Sequence, residues 1–297
     1  MTSDETTLKE LESRVRDAFP RLAFAKAELN DYGEDNVVLV LDREWIVRAP
    51  RTPEYLWRFA AELSLLEALR PVSPVAVPHY EFVAPDRGMG AYRMIPGTEL
   101  TPPVFALLER QAQRSALIAL GDFLSVLHGL PEQTIRQPDG MIQRCWSGEQ
   151  YAARYRGMRR AKIARVTPEA MLKRFDAFHA ALETQELPVS RLVHDDLTED
   201  HILVRPDGAL GGVIDFSDAA IGDPAADFAW FWRLGEANVD LVLAHYRWAD
   251  PELKIRARWN YVRFLINQIA YGDKAKWNLA PDQAFAELDG HQKQLGF

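Results

Sequence analysis

Residues 194–201 read His194-Asp195-Asp196-Leu197-Thr198-Glu199-Asp200-His201, and Val213-Ile214-Asp215-Phe216 follows after a short turn. The first segment sets a carboxylate, Asp196, five positions before a possible metal ligand, His201. The second ends an apolar run, which reads as a strand, on another carboxylate, Asp215. A short loop and a hairpin would bring the three side chains into one cleft. One carboxylate to orient a hydroxyl, with two ligands for a divalent ion on ATP or GTP, is the minimum equipment for phosphoryl transfer of the kinase type.

Outward from that centre the chain divides by character. Towards the N-terminus, Leu8, Leu11, Val15 and Phe19 recur at helical spacing, so residues 6–18 read as an amphipathic helix. Val37 to Leu41, a turn at Asp42-Arg43 and Trp45 to Val47 read as a hairpin. Residues 54–69 return to helical periodicity, and Pro71, Pro74 and Pro78 mark a stiff connection. Short strands are expected near 80–83 and 91–95. Beyond Pro96-Gly97 the pattern is helical over 104–129, 148–164 and 168–183, the last with Thr167 as cap and Pro168 in the first turn. The motif hairpins at 192–215 interrupt it, and helices resume over 225–247, 251–272 and 281–294. The expected class is α+β: a small mixed lobe over 1–95, a larger, mostly helical lobe over 96–297, and a cleft where they join at Arg93–Gly97.

Composition narrows the function. With 297 residues, 47% of them hydrophobic, the chain can bury substantial cores. A net charge of −8 argues against a nucleic-acid partner and fits either a cationic ligand or plain solubility. One cysteine, Cys145, rules out an intramolecular disulfide framework. No apolar run is long enough to span a membrane, and the polar, acidic start from Met1 to Glu12 is unlike a signal peptide, so a cytoplasmic location is expected. No G-x-S-x-G elbow supports a serine hydrolase.

Joined to Gly222-Asp223-Pro224-Ala225-Ala226-Asp227, the two opening segments resemble the antibiotic and small-molecule phosphotransferase family, which includes the aminoglycoside and macrolide kinases. Its members carry a His-x-Asp-x-x-x-x-Asn/His loop, an Ile-Asp-Phe/Trp segment and a Gly-Asp-Pro-x-x-Asp stretch in that order. The similarity extends weakly over nearly the whole chain. It implies a two-lobed, protein-kinase-like fold, ATP or GTP as donor and Mg²⁺ as cofactor. Asp196 becomes the catalytic carboxylate, Asp215 and His201 the metal ligands, and His194 and Asp227 the supports of the loop. Asp195 receives no role. Imidazole suits Mg²⁺ less well than an oxygen donor, although macrolide kinases and some 2''-kinases resemble this chain in having His there. Arg48 stands where kinases carry a phosphate-gripping lysine, a tolerable exchange, since Arg binds phosphate in two-pronged fashion. Glu62 is its expected partner, with Glu67 the alternative. Arg93, Met94 and Ile95 would form the hinge against the base. Asp31 to Asn36 either covers the phosphates or is a plain turn.

The acceptor implied by the resemblance is a hydroxyl of an aminoglycoside. A macrolide, an amino alcohol or a sugar is the near alternative, and a nucleotide-binding regulatory module a distant one. A polycation would need carboxylates near Asp196, and Asp218, Glu236, Asp240 and Asp273 are candidates, with Asn267 at a position acidic in the 2''-kinases. Arg233 and Arg263 add positive charge near them in sequence. Trp230, Phe231 and Trp232 could line a pocket, or belong to the core.

Overall fold

A computed structural model describes residues 3–30, 36–52, 56–136, 140–185, 190–271 and 281–297. Helix α1 (Ser3–Ala18) precedes β1 (Ala27–Asn30), β2 (Asn36–Leu41) and β3 (Trp45–Pro50). After α2 (Leu56–Leu69) come β4 (Tyr80–Ala84) and β5 (Met89–Arg93), and the five strands form one antiparallel sheet in the order β1-β2-β3-β5-β4. Alternation drives the sheet: Val37, Leu39 and Leu41 of β2 face inward with Val47, Met89 and Ala91, and Leu11 and Val15 of α1 cover them. The β2–β3 turn is where the sequence predicts it. Asp42 and Arg43 have φ of 51° and 57°, the left-handed pair a tight hairpin needs, and Glu44 N–H closes the turn on the Leu41 carbonyl at 2.9 Å.

Two short ladders follow. β6 (Thr98–Glu99) is the outer strand of a three-stranded sheet with β8 (Ile202–Val204) and β9 (Leu210–Val213), and β7 (Arg191–Val193) pairs with β10 (Ala220–Gly222). The remainder is helical: α3 (Pro102–Leu107), α4 (Arg110–Leu127), α5 (Gly148–Arg154), α6 (Arg160–Ile163), α7 (Glu169–Glu183), α8 (Glu236–Ala244), α9 (Leu253–Tyr271) and α10 (Pro281–Gln294). Leu65, Leu66 and Leu69 of α2 pack into the core of this helical part, not into the core under the sheet. Helix α2 therefore couples the two cores. Gly212 of β9 lies against the connection after α2; a Cβ there would stand 2.6 Å from the Ala76 carbonyl oxygen and 2.9 Å from Ile95.

Several helical stretches depart from their periodicity. The run expected over 104–129 breaks at Leu108-Glu109, both extended, and the Gln113 amide donates to the carbonyls of Phe105 and Leu108 that the break exposes. Between α5 and α6 the chain widens into one π-helical turn, Tyr155–Arg159. Thr167 does not cap α7: Pro168 holds the cap position, and the buried Thr167 hydroxyl has no hydrogen-bond partner among the described residues. Residues 224–234 form two 3₁₀ turns, with Asp223 capping the first through Ala225 N–H. Trp230, Phe231 and Trp232, at most 5% exposed, are core residues.

Within the helical core the His179 ring stacks on Tyr155 at 3.7 Å. Burial holds its pKa down at about 4, so the folded protein keeps it neutral where the unfolded chain takes up a proton. This contribution to stability is complete above about pH 6.5 and is lost as the pH falls towards 4, by about 3 kcal/mol at most. Urea unfolding at pH 7.5 and pH 4.5 should therefore show a smaller acid loss for His179→Phe than for the wild type; an equal loss would contradict the assignment.

Candidate active site

The loop from 194 to 201 leaves β7 and turns sharply at Asp195, whose φ is 62°. One side chain holds that turn. The fully buried Asp227 carboxylate accepts the N–H of His194 at 2.7 Å and of Asp195 at 2.9 Å, and meets His128 Nε2 at 2.9 Å. His128 in turn reaches the Tyr246 hydroxyl through Nδ1 at 2.7 Å. Burial alone would raise the Asp227 carboxyl, but the His128 bond, the nearby histidines and the His194 amide take it below its ordinary value. Another side chain of the loop points back as a brace: His194 Nε2 donates to the Ile214 carbonyl at 3.0 Å, and burial keeps the ring neutral.

His201 Nδ1 lies 2.6 Å from the backbone oxygen of Asp196 and so must carry the proton of that bond. Its Nε2 then faces the Asp200 and Asp215 carboxylates, 3.6 Å and 3.8 Å away. Burial lowers the His201 pKa, but Asp200, Asp196 and Asp215 outweigh it and push it up to about 9. The Asp196 carboxyl, 39% exposed, is raised well above its ordinary value by its protein surroundings and by the charges of Asp218, Asp200 and Asp215, against the pull of His201.

Asp215 follows β9 with φ 63°. Against its burial, Arg48, His201 and the Ser217 hydroxyl hold its carboxyl far below the usual range. Arg48, on β3 and 4% exposed, spans the cleft: one amino group meets Glu62 of α2 at 2.7 Å, the other meets Asp215 at 2.6 Å. Glu62 is thus the partner, while Glu67 is exposed. Burial raises Glu62 to about 7 in spite of Arg48, and the Tyr80 hydroxyl donates to it at 3.3 Å.

The hinge residues take different postures. Arg93 turns to solvent, pairing with Glu44 at 2.9 Å and lying over Trp45, and Met94 donates its N–H to the Glu44 carbonyl and leaves its side chain 40% exposed. Ile95 packs on Gly212. Among the residues expected to meet an acceptor, Asp218 pairs with Arg58 at 2.7 Å, and Glu236 with Lys254 at 2.8 Å and Arg258 at 3.3 Å. Asp240 pairs with the same Lys254 at 2.6 Å, and Asn267 accepts from Arg159. Arg233 is bound inside the core to Glu199, which also accepts from the Trp230 indole. Asp273 and residues 31–35 lie outside the described residues.

Among the described residues no group of three or more His, Cys, Asp or Glu converges closely enough to hold a metal by itself. The donors still suit Mg²⁺, which takes one or two carboxylates and completes its shell with phosphate and water. With Nδ1 committed to the Asp196 carbonyl, Nε2 faces Asp215, and a cation bound between them would displace the Nε2 proton. Asp200, Ser217 and Tyr80 also belong to this site and were not anticipated. Asp200 had a signal, standing beside His201 in the motif itself. The His128–Tyr246 support had none, being assembled from segments far apart in the chain.

The profile of the phosphotransferase enzyme family, APH, matches residues 26–265. The chain belongs to this family. An uncharacterized protein of Bacillus subtilis (strain 168), YcbJ, is 27% identical over 238 residues, 74% of each chain. The GDP complex of aminoglycoside 2'-phosphotransferase-IIIa aligns with a TM-score of 0.77 over 97% of this chain and 99% of that one, at 19% identity. The macrolide 2'-phosphotransferase MphH from Brachybacterium faecium, an apoenzyme, aligns at 0.63 over 96% and 98%, at 24% identity. The fold of this family member is accordingly the two-lobed α+β architecture of the kinase-like phosphotransferases, and the protein is an enzyme of phosphate transfer.

If Asp227 sets the loop, Asp227→Asn should expose amides 194 and 195 to hydrogen exchange and cost about 1–3 kcal/mol, since an amide nitrogen would face a buried N–H. Unchanged protection of those amides would show that the loop is held elsewhere.

Proposed function

We propose that this family member transfers the γ-phosphoryl group of ATP or GTP, with Mg²⁺, to a hydroxyl of a small molecule. The observation that carries the reading is the convergence of Asp196, His201 and Asp215 from two segments, with Arg48 clamped between Glu62 and Asp215 above them. Residues 1–95 would form the nucleotide-binding lobe and 96–297 the lobe bearing the catalytic loop, with Arg93, Met94 and Ile95 at the join. No helix among the described residues is long and apolar enough to cross a membrane. We place the reaction in the cytoplasm, where nucleoside triphosphates are supplied.

His201 Nε2 and the Asp215 carboxylate would hold Mg²⁺. When bound, the ion would supply positive charge that offsets what builds on the nucleotide phosphates. Arg48 keeps its charge at any working pH and, held by Glu62, would grip the α- and β-phosphates. Asp196 would accept the hydrogen bond of the incoming hydroxyl and hold its oxygen in line with the phosphorus. In a loose transition state such positioning matters more than early proton removal. His194 and Asp227 would act through the loop, keeping Asp196 and His201 in register.

The acceptor classes to try first are those of the structural neighbours. Two of these are the GDP and kanamycin complex of APH(2")-IIIa and macrolide 2'-phosphotransferase type I. The described acids proposed for an aminoglycoside, Asp218, Glu236 and Asp240, are each already paired with a cation. That pairing disfavours a polycation and leaves macrolides and smaller metabolites ahead.

Asp196→Ala should leave Mg-nucleotide affinity within about twofold while turnover falls by about 10³; turnover at the wild-type level would sink the role of Asp196. Asp215→Ala should weaken Mg-nucleotide binding by about tenfold or more in calorimetry, and equal affinity in both proteins would contradict a metal role. His201 can be tested by metal choice. Imidazole favours softer ions than an amide oxygen does, so His201→Asn should lower the Mn²⁺-to-Mg²⁺ activity ratio. An unchanged ratio would place His201 outside the metal shell.

A further inference from the structure

A cleft of about 40 Å³, partly open to solvent, lies beside the catalytic loop, lined by Trp146, Tyr151, Asp195, Arg256, Trp259 and Arg263. Its two cations differ. Arg256 is fully engaged, by Asp223 at 2.9 Å and Asp250 at 2.8 Å. Arg263 is not. It lies over the Tyr151 ring at 3.8 Å and donates one bond, at 3.1 Å, to the neutral Asn260. Its Nε–H is buried without an acceptor, and among the described residues it makes no carboxylate ion pair, Asp195 being a more distant electrostatic neighbour.

The surroundings repeat the sign. The α5–α6 segment carries Arg154, Arg156, Arg159, Arg160, Lys162 and Arg165 within a dozen residues. Glu183 pairs with Arg156 and Asp176 with Arg160, and Arg159 donates to the amide oxygen of Asn267. The wall of the cleft is therefore aromatic, with a guanidinium lacking a close counter-ion and one residue, Asp195, separating it from Asp196. A guanidinium fork matches an anionic oxygen pair, and the aromatic faces suit an apolar body.

Resting on the phosphotransfer reading above, we propose that the acceptor is an alcohol bearing an anionic oxygen group, a carboxylate or its like, seated on Arg263 between Tyr151 and Trp259. The site then selects against polycations, because the Arg263 guanidinium stands in the cleft where an aminoglycoside would need an acid.

The test is calorimetry on the full-length protein with a matched pair of probes, 3-phenyllactate and 2-amino-3-phenylpropan-1-ol, and with kanamycin. Phenyllactate should bind at least about tenfold tighter than the amino alcohol and tighter than kanamycin, the worth of one charged hydrogen bond. Arg263→Gln should abolish that preference, and Arg263→Lys, which keeps the charge, should retain part of it. Tighter binding of the amino alcohol or of kanamycin would overturn the proposal. So would equal affinity of phenyllactate for wild type and Arg263→Gln, or no binding of phenyllactate at millimolar concentration. Mg·ATP and Mg·GTP affinities on the same samples test the phosphotransfer reading separately, so a failure at the nucleotide is told apart from a failure at Arg263.

Discussion

Arg48 is the interaction on which the rest of the cleft depends. It belongs to the middle strand of the N-terminal sheet, yet its two amino groups tie α2 and the end of β9, 167 positions away, into one buried contact. Two carboxylates share this one guanidinium. They divide it unequally: Asp215, helped by His201 and Ser217, stays ionised far below its ordinary range, while Glu62, walled in and facing a second negative charge, is raised to about 7. Such a cluster is not chosen for stability, since an apolar trio would cost less to bury. It keeps a cation at the mouth of an acidic site and holds the strand bearing it against α2, whose leucines are rooted in the other core.

The catalytic loop meets the same problem with a different solution. Asp195 and Asp215 both occupy left-handed backbone, which a residue with a Cβ adopts only at a cost, and the two mark the ends of the site. At Asp195 the cost is offset by Asp227, which takes the two amides that the turn leaves without partners. His128, itself bonded to Tyr246, and the His194 amide keep that carboxylate charged inside the protein. The geometry of Asp196 and His201 therefore rests on a chain of buried polar contacts leading back to α4, well away from the cleft. The loop can present acids to the opening because another acid, fully buried, is satisfied behind it.

What could be read in advance follows from how local the cause is. The 194–201 loop, Asp215 and the Asp42-Arg43 turn are each specified within a few residues, and each stands where its spacing implied. The Arg48–Glu62 pair was legible because strand and helix are neighbours in sequence. Elsewhere distant contacts override local pattern. The helical periodicity of 225–234 yields 3₁₀ turns because Asp223 caps the first turn and Trp230, Phe231 and Trp232 are drawn into the core. The strands β6, β7 and β10 are two or three residues long, too short to leave a pattern of alternation. Acidic residues placed near the site by sequence proved to be charge partners of arginines and lysines from other elements, pairings no periodicity reveals.

That last point bears on how one fold serves different acceptors. In the proposed phosphotransfer, the phosphate side of the site would be specified by charges needed for any nucleotide: Arg48, Asp215, His201. The acceptor side has no such obligation, and its sign is set by which ionic groups are left without a counter-ion after the protein has paired the rest. Here Asp218, Glu236 and Asp240 are consumed by Arg58, Lys254 and Arg258, and Arg256 by two aspartates. Among the described residues beside the loop, Arg263 has a neutral partner and an aromatic floor. A net charge of −8 therefore says little about the acceptor, because net charge sums the paired groups along with the few that a ligand can meet.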